Sequence, residues 1–228
     1  MAILAKLGQV LTTDISKDTI FKKKNIEEKE YDLLNDMRKR RSIHALSNRV
    51  SHSPEYLTKL IKQAVRCCPS VQNAPSVRIV ILLEQAHQNF WEMVRGIQRQ
   101  QMPEHIFEGA SVRLDRCSSA YGTVLFFEDQ LVVQILQKRK PLQAHNFAIW
   151  SEQTSGMAQF AVWTALSSTG LGASLHHYHP DINIETAKMF DLPESWQFKS
   201  QLVFGSIVKP ASVKSELDDE SLFKVFKD

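Results

Sequence analysis

Residues 40–44 read Arg40-Arg41-Ser42-Ile43-His44. The chain then runs through Ser53-Pro54-Glu55 and Pro69-Ser70-Val71-Gln72-Asn73 to the apolar run Val77-Arg78-Ile79-Val80-Ile81-Leu82-Leu83. Two cations, a hydroxyl and an imidazole side by side suit a terminal phosphate, which takes charge together with directed hydrogen bonds. The same run also suits a solvated helix end, where cations complement the C-terminal dipole. Downstream lies a well-marked helix. Ser53 suits the N-cap, Pro54 the first helical position and Glu55 the first-turn dipole. Leu57, Leu60, Ile61, Ala64 and Val65 then recur at the spacing of one buried face. Pro69 disfavours helical geometry at Cys68 and ends the run. Ser70 to Asn73 place short polar groups where the helix stops, suited to the polar edge of a flat ring. The β-branched run from Val77 predicts a central strand covered on both faces.

Toward the N-terminus, residues 1–34 read as an extension, and residues 35–228 as the folded domain. The extension has Ile3, Leu4, Leu7, Val10 and Leu11 at helical spacing, then Lys22-Lys23-Lys24 against Glu27, Glu28 and Glu30. It lacks the basic start and long apolar centre of a signal peptide. From Tyr31, the apolar positions Leu33, Leu34 and Met37 predict a helix leading into the basic cluster. Beyond Leu83, two helices are expected, one carrying Phe90, Trp91, Val94 and Ile97, the next following Pro103 with Ile106, Phe107, Ala110 and Leu114. Gly122 introduces a second strand, Thr123-Val124-Leu125-Phe126-Phe127, and Leu131, Val132, Ile135 and Leu136 mark a short helix closed by Pro141. Phe147 to about Thr169 has no proline and is apolar nearly all round in its later part, so it must be buried on most sides, within the domain or at a subunit interface. Gly170 and Gly172 end it. A small helix near Ile184 to Phe190, a third strand at Gln201-Leu202-Val203-Phe204 and a charged tail complete the chain.

The bulk numbers exclude several classes. At 228 residues, one large domain or two small ones would fit, since roughly 100–200 residues per domain is usual. Hydrophobic residues make up 43% and charged residues 23%, with a formal net charge of +3. That mild balance gives no reason for a nucleic-acid or membrane partner. No apolar run reaches the roughly 18 residues of a spanning helix. Three cysteines, two of them adjacent (Cys67, Cys68) and one apart (Cys117), form no disulfide framework. A reducing, cytoplasmic setting is the plain reading.

Motifs narrow the chemistry further. His176, His177 and His179 cluster, but no paired Cys/His set completes a metal site, so no metal is expected. No G-x-S-x-G occurs, and Cys67 and Cys68 stand at a helix C-terminus, where the dipole opposes a thiolate. They read as buried small hydrophobes. Neither a dinucleotide-binding nor a P-loop glycine pattern occurs, and the chain has only 8 glycines. A phosphate would therefore be held by side chains, which returns attention to Arg40, Arg41 and Ser42.

Arg40-Arg41-Ser42-Ile43-His44-Ala45-Leu46 followed by Pro69-Ser70-x-x-Asn73 and an apolar strand resembles the flavin-dependent nitroreductase family. Later stretches sharpen the likeness: Gly122 to Asp129, Asn146 to Ser151, and Gly170-Leu171-Gly172-Ala173-Ser174-Leu175-His176-His177-Tyr178. Together they look like the fatty-acid-repression-mutant branch, over about Tyr31 to Phe226. The resemblance implies an α+β fold, a central, mostly antiparallel sheet flanked by helices, in an intertwined homodimer with FMN in two interfacial pockets. By similarity, Arg40, Arg41 and Ser42 hold the FMN phosphate and ribityl chain, and His44 lies near the polar edge of the ring. Pro69, Ser70 and Asn73 match the segment that reaches the flavin from the other subunit. Ser174 and Leu175 match the loop alongside the isoalloxazine, and Lys214 matches a C-terminal cation of the phosphate site. Two departures stand out: Ala74-Pro75 where relatives commonly carry Ser-Gln, and Glu216 where a basic residue is common.

What the resemblance implies chemically is an NAD(P)H oxidoreductase. Flavin N5 would take hydride from NADH or NADPH and pass it to a nitroaromatic, quinone or similar flat acceptor in ping-pong fashion. No protein nucleophile or catalytic base is expected, because the cofactor carries the electrons. Phe147, Trp150 and Tyr178 are aromatic candidates for the open face of the ring, with core packing as their alternative fate. The alternative function is a flavin-binding regulatory or storage protein with little turnover.

Overall fold

The computed structural model describes residues 32–178, 180–214 and 218–227, so the expectations for the segment before Asp32, for His179 and for Glu216 lie outside the described residues. The chain divides between Asn35 and Asp36, and the larger unit, from Asp36 onward, holds the sheet. In order, the elements are α1 (Asp32–Lys39), β1 (Leu46–Ser47), α2 (Pro54–Arg66), β2 (Val77–Leu83), α3 (Glu84–Gln101) and α4 (Glu104–Ser118). These are followed by β3 (Gly122–Asp129), α5 (Gln130–Arg139), α6 (Ala144–Ser168), β4 (Leu171–His176), α7 (Asn183–Met189), β5 (Trp196–Ile207) and α8 (Asp219–Leu222).

All strand pairs among the named strands are antiparallel. Val203 of β5 pairs with both Thr123 of β3 and Ser174 of β4, so β3 and β4 flank it on opposite edges. Ser206 pairs with both Ser47 and Leu171, so β1 extends the β3 side past the start of that strand. β2 closes the other end by pairing with β3. Successive side chains of a strand face opposite ways, and β3 separates two cores accordingly. Leu125 and Phe127 pack with Phe90, Trp91 and Val94 of α3 and Phe107 and Leu114 of α4. Val124 and Phe126 pack with Leu57 and Ile61 of α2 and Ala158, Val162 and Leu166 of α6. The larger unit is thus an α+β arrangement of helices, sheet and helices.

The caps act as their residue types dictate. Ser53 accepts from the backbone N of Tyr56 at 3.2 Å, with Pro54 following. Gly170 adopts φ +82° after α6, a left-handed conformation that costs glycine little. Other expectations are corrected. Among the described residues β2 is an edge strand, not a central one; alternate residues do face the two cores, but its second edge has no strand partner there, and most of it is only half-buried. The fully buried central strand is β3. Gly172 belongs to β4, and the histidine-bearing stretch begins as a strand rather than a loop. α5 buries Val133 and Leu136 and leaves Leu131 and Ile135 exposed. α6 buries Ala158, Val162 and Leu166 within the chain and leaves Ile149, Met157 and Phe160 exposed on the single chain, so burial inside the domain does not cover every side of it. Cys67 is exposed and Cys68 half-buried, since both lie past the buried face of α2; only Cys117 is buried.

Candidate functional site

The basic cluster leaves α1 and is tied to the sheet. Arg40 N donates to Asp36 O at 3.0 Å, closing the last turn. Three residues later Ile43 N donates to Ala173 O at 2.9 Å, and Ser42 forms a parallel bridge with Ala173. Ile43 and Leu46 are buried in the core that carries Trp91, which anchors the segment. Alternation then turns Ser42 and His44 the other way, and both are exposed. An apolar residue at 43 therefore sets the direction of its polar neighbours. The resulting hydrogen bond joins the Arg40–His44 segment to the Ser174 strand, although some 130 residues separate them in sequence.

The two arginines differ in role. The Arg40 guanidinium lies 4.5 Å from the ring centre of Trp163 and 5.6 Å from that of Phe160, both on α6. Its Nε is buried and has no hydrogen-bond partner. Burial, with the neighbouring Arg41 charge second, lowers its pKa from the usual arginine value. A cation held against aromatic faces with an unmet donor is suited to an incoming anion. Arg41 Nη2 donates to Ser212 O at 2.9 Å. This contact brings the C-terminal segment to the cluster, with exposed Lys214 two residues further on.

Beside this segment lies a cavity of about 330 Å³ lined by His44, Arg113, Arg116, Cys117, Ser174 and His176. The His176 ring sits 2.8 Å by Nε2 from Ser174 Oγ and 3.6 Å from Cys117 Sγ. It meets His44 edge-on at 6.0 Å between ring centres. Burial, followed by the charges of His44, His177 and Arg113, pushes the His176 pKa down to about 4. Burial also pushes the Cys117 thiol up to about 12, with Arg113 opposing. The pair therefore stays thiol and neutral imidazole near neutral pH. It is not the thiolate–imidazolium pair of a cysteine nucleophile. A second cavity, of about 420 Å³, shares Arg113 and His176 and is further lined by Gln98, Leu175, His177, Tyr178 and Asp181.

Pro69, Ser70 and Asn73 lie elsewhere. They belong to a tight turn in which Asn73 N donates to Ser70 O at 3.2 Å and Ala74 N to Val71 O at 2.9 Å. Gln72 and Asn73 both take positive φ, 52° and 55°, conformations that asparagine tolerates better than most. Val71 and Ala74 pack on the cluster of Val133, Leu136 and Phe147, with Trp150 beside it. Arg40 instead packs on Phe160 and Trp163, further along the same helix. From Trp150 to Phe160, at about 1.5 Å rise per residue, is roughly 15 Å. The two halves of the opening sequence thus address different ends of α6.

Of the sequence candidates, the structure brings together Arg40, Arg41, Ser42, His44, Ser174 and Leu175. Lys214 is near by chain continuity, and Pro69, Ser70 and Asn73 are apart. Phe147 is a core residue and Trp150 is half-buried against it, their rings edge-on at 5.2 Å. Tyr178 lines the second cavity. Sequence reasoning missed Arg113, Arg116 and Cys117. Their spacing puts them on one face of α4, but only the packing of that helix shows which face meets the cavity. Among the described residues, no group of three or more His, Cys, Asp and Glu residues is arranged to hold a metal ion, and no helix is long and apolar enough to cross a membrane.

Comparisons with known proteins place this arrangement in context. The profile described as Nitroreductase family matches residues 37–206. The Saccharomyces cerevisiae protein HBN1 is 32% identical over 187 residues, covering 79% of this chain and 91% of that one. The nitroreductase FRM2 of the same yeast is 31% identical over 175 residues, covering 75% and 86%. The nitroreductase CinD from Lactococcus lactis, solved in complex with nicotinic acid, superposes with a TM-score of 0.80 at 43% identity, covering 85% of this chain and 99% of that one. The same protein was solved with 4-nitrophenol (TM-score 0.78, 42% identity, the same coverage).

Proposed function

The chain belongs to the nitroreductase family, whose members act as oxidoreductases on nitro compounds, and on that premise we propose that it is an FMN-dependent NAD(P)H oxidoreductase for nitroaromatics, quinones and similar flat acceptors. The observation that carries this reading is the hydrogen bond between Ile43 and Ala173, which sets the Arg40–His44 segment beside Ser174 and a cavity. The donor set fits a ligand with a phosphate at one end and a flat polar-edged ring at the other. Arg40 has a buried, unmet Nε beside aromatic faces; Ser42 and His44 are exposed along the same stretch.

In this reading Arg40, Arg41, Ser42 and Lys214 hold the FMN phosphate and ribityl chain, and His44, Ser174 and Leu175 border the ring. Bound FMN supplies reversible hydride acceptance, so the two half-reactions need no protein nucleophile. The chain's own tasks are binding, orientation and electrostatics. Fixed cations favour a ligand that is anionic, and the neutral His176 and Cys117 offer hydrogen-bonding groups without a competing charge. Pro69, Ser70 and Asn73, distant from the Arg40 end of α6, serve the pocket of a second subunit. The exposed Ile149, Met157 and Phe160 of α6 supply apolar surface for that homodimer.

The visible spectrum of the purified protein, followed by steady-state oxidation of NADH and NADPH with a nitroaromatic acceptor, tests the proposal. Flavin absorption with turnover is expected. Flavin without turnover defeats the enzyme reading and leaves a flavin-storage or regulatory protein; a colourless protein that does not take up FMN defeats both. Arg40→Ala should bind FMN at least about tenfold more weakly, the loss of roughly one charge-assisted contact, with far-UV circular dichroism unchanged. Parent-like FMN affinity in that variant would remove Arg40 from the site.

A further inference from the structure

Arg113 and Arg116 take no part in the phosphate site proposed above, yet both line the cavity that holds Ser174 and His176. They stand three apart on α4, one turn from each other on the same face. Three arginines of the fold are matched with acids: Arg78 with Asp129 at 3.0 Å, Arg99 with Glu104 at 3.3 Å, and Arg95 with Asp115. Neither Arg113 nor Arg116 meets a carboxylate in an ion pair among the described residues. Asp115, which lies between them in sequence, is turned to Arg95 instead.

The rest of the lining carries no negative charge that would neutralise them. His44, Cys117, Ser174 and His176 complete the cavity, and the adjoining one adds a single carboxylate, Asp181. The charge of Arg113 is felt at Cys117, His176 and Tyr178, pulling the pKa of each downward, which places its field inside both cavities. The result is a site with a hydrogen-bonding floor, in which His176 and Cys117 are neutral, and an unneutralised basic wall. A flat neutral ring needs only the floor. A ring that also bears a carboxylate or sulfonate gains charge-assisted, two-pronged hydrogen bonds from a guanidinium.

We propose that Arg113 and Arg116 are specificity-determining residues that make this protein prefer flat acceptors carrying an acidic substituent on the ring. The proposal rests on the oxidoreductase reading above and deepens it by naming a substrate class. Binding at this wall is partly exposed to water, so the preference should weaken as salt is raised.

The test uses the protein as purified and two pairs of near-isosteric ligands, benzoate with benzamide and 4-nitrobenzoate with 4-nitrobenzamide. Calorimetric titration of the first pair is independent of turnover. The wild type is expected to bind benzoate about tenfold more tightly than benzamide, the size of one charge-assisted contact. The same ratio is expected in kcat/KM for the nitro pair with saturating NADH. In the double variant Arg113→Gln/Arg116→Gln both ratios should fall to about one. Equal affinity for acid and amide in the wild type overturns the proposal, as does a preference that survives in the double variant. A discrimination of NADPH from NADH that the variant loses, without any acid–amide preference, assigns the arginines to the dinucleotide phosphate and also overturns it. Failure to reduce either nitro compound, with the benzoate preference intact, counts against the oxidoreductase reading alone.

Discussion

His176 ties acid stability to one imidazole, and the size of the effect follows from its surroundings. Folded, the ring is packed among Cys117, Ser174 and Trp91 and keeps its neutral form down to about pH 4, against an ordinary value of 6.5. Between those two values the unfolded chain binds a proton that the native protein refuses. Stability therefore rises with pH across that window and falls as acid is added. Above about pH 6.5 both states are neutral, and the residue contributes no pH dependence. A tenfold difference in proton affinity between the two states corresponds to about 1.4 kcal/mol, so between about pH 7.5 and pH 4.5 the native state loses up to about 2.5 kcal/mol on this account. The ring borders two solvent-open cavities, and screening by solvent brings the expected loss to between about 1 and 2.5 kcal/mol. Urea unfolding of the wild type and of His176→Gln at both pH values, at one protein concentration, isolates the contribution. Carboxylates that titrate in the same range affect both proteins and cancel in the double difference. The wild type should lose more stability than the variant by that amount. Equal losses would show that the imidazole is protonated in the native state, and would refute the packing account of its neutrality.

Two further predictions concern the sheet that holds the site. A Cβ added at Gly122 would lie 2.8 Å from Leu82 O and 2.8 Å from Phe204 Cζ, so Gly122→Ala should force β2 and β3 apart and cost about 1–3 kcal/mol in chemical denaturation; an unchanged midpoint would contradict the packing at that crossing. Glu128 is buried at 2% exposure between Lys199 (3.4 Å), Gln130 Nε2 (3.2 Å) and Ser76 Oγ (3.5 Å). Glu128→Gln should leave the half-buried Lys199 dependent on Glu152 and Gln197 and lower stability by about 1–3 kcal/mol in the same assay.

The element types are largely legible in the residues alone. Ser53 and Pro54 open α2 where the capping rule puts the start, Gly122 introduces β3, and Gly170 closes α6, because caps and left-handed glycines act over a few residues. The order of the motifs from Arg40 to Tyr178 points to the family. These are properties of short stretches, which sequence carries directly.

Strand rank and cavity walls are not legible in that way. Val77 to Leu83 is as β-branched as a central strand, but rank depends on which strands pair, and here the long β5 takes β3 on one edge and β4 on the other, leaving β2 outside. β4 itself is hidden, since Gly-Ala-Ser-Leu-His has weak β-propensity and becomes a strand through its partner β5. Arg113, Arg116 and Cys117 read as one face of an amphipathic helix, with nothing local to say what that face would meet. Neighbouring residues thus dictate the helices, their ends and the chemistry of the opening cluster. Folding of the whole chain is what gives Ile43 and Ala173 a shared hydrogen bond and turns two arginines of α4 toward Ser174. Contacts between residues far apart in sequence are selected by the packing of the whole core, and no short stretch encodes them.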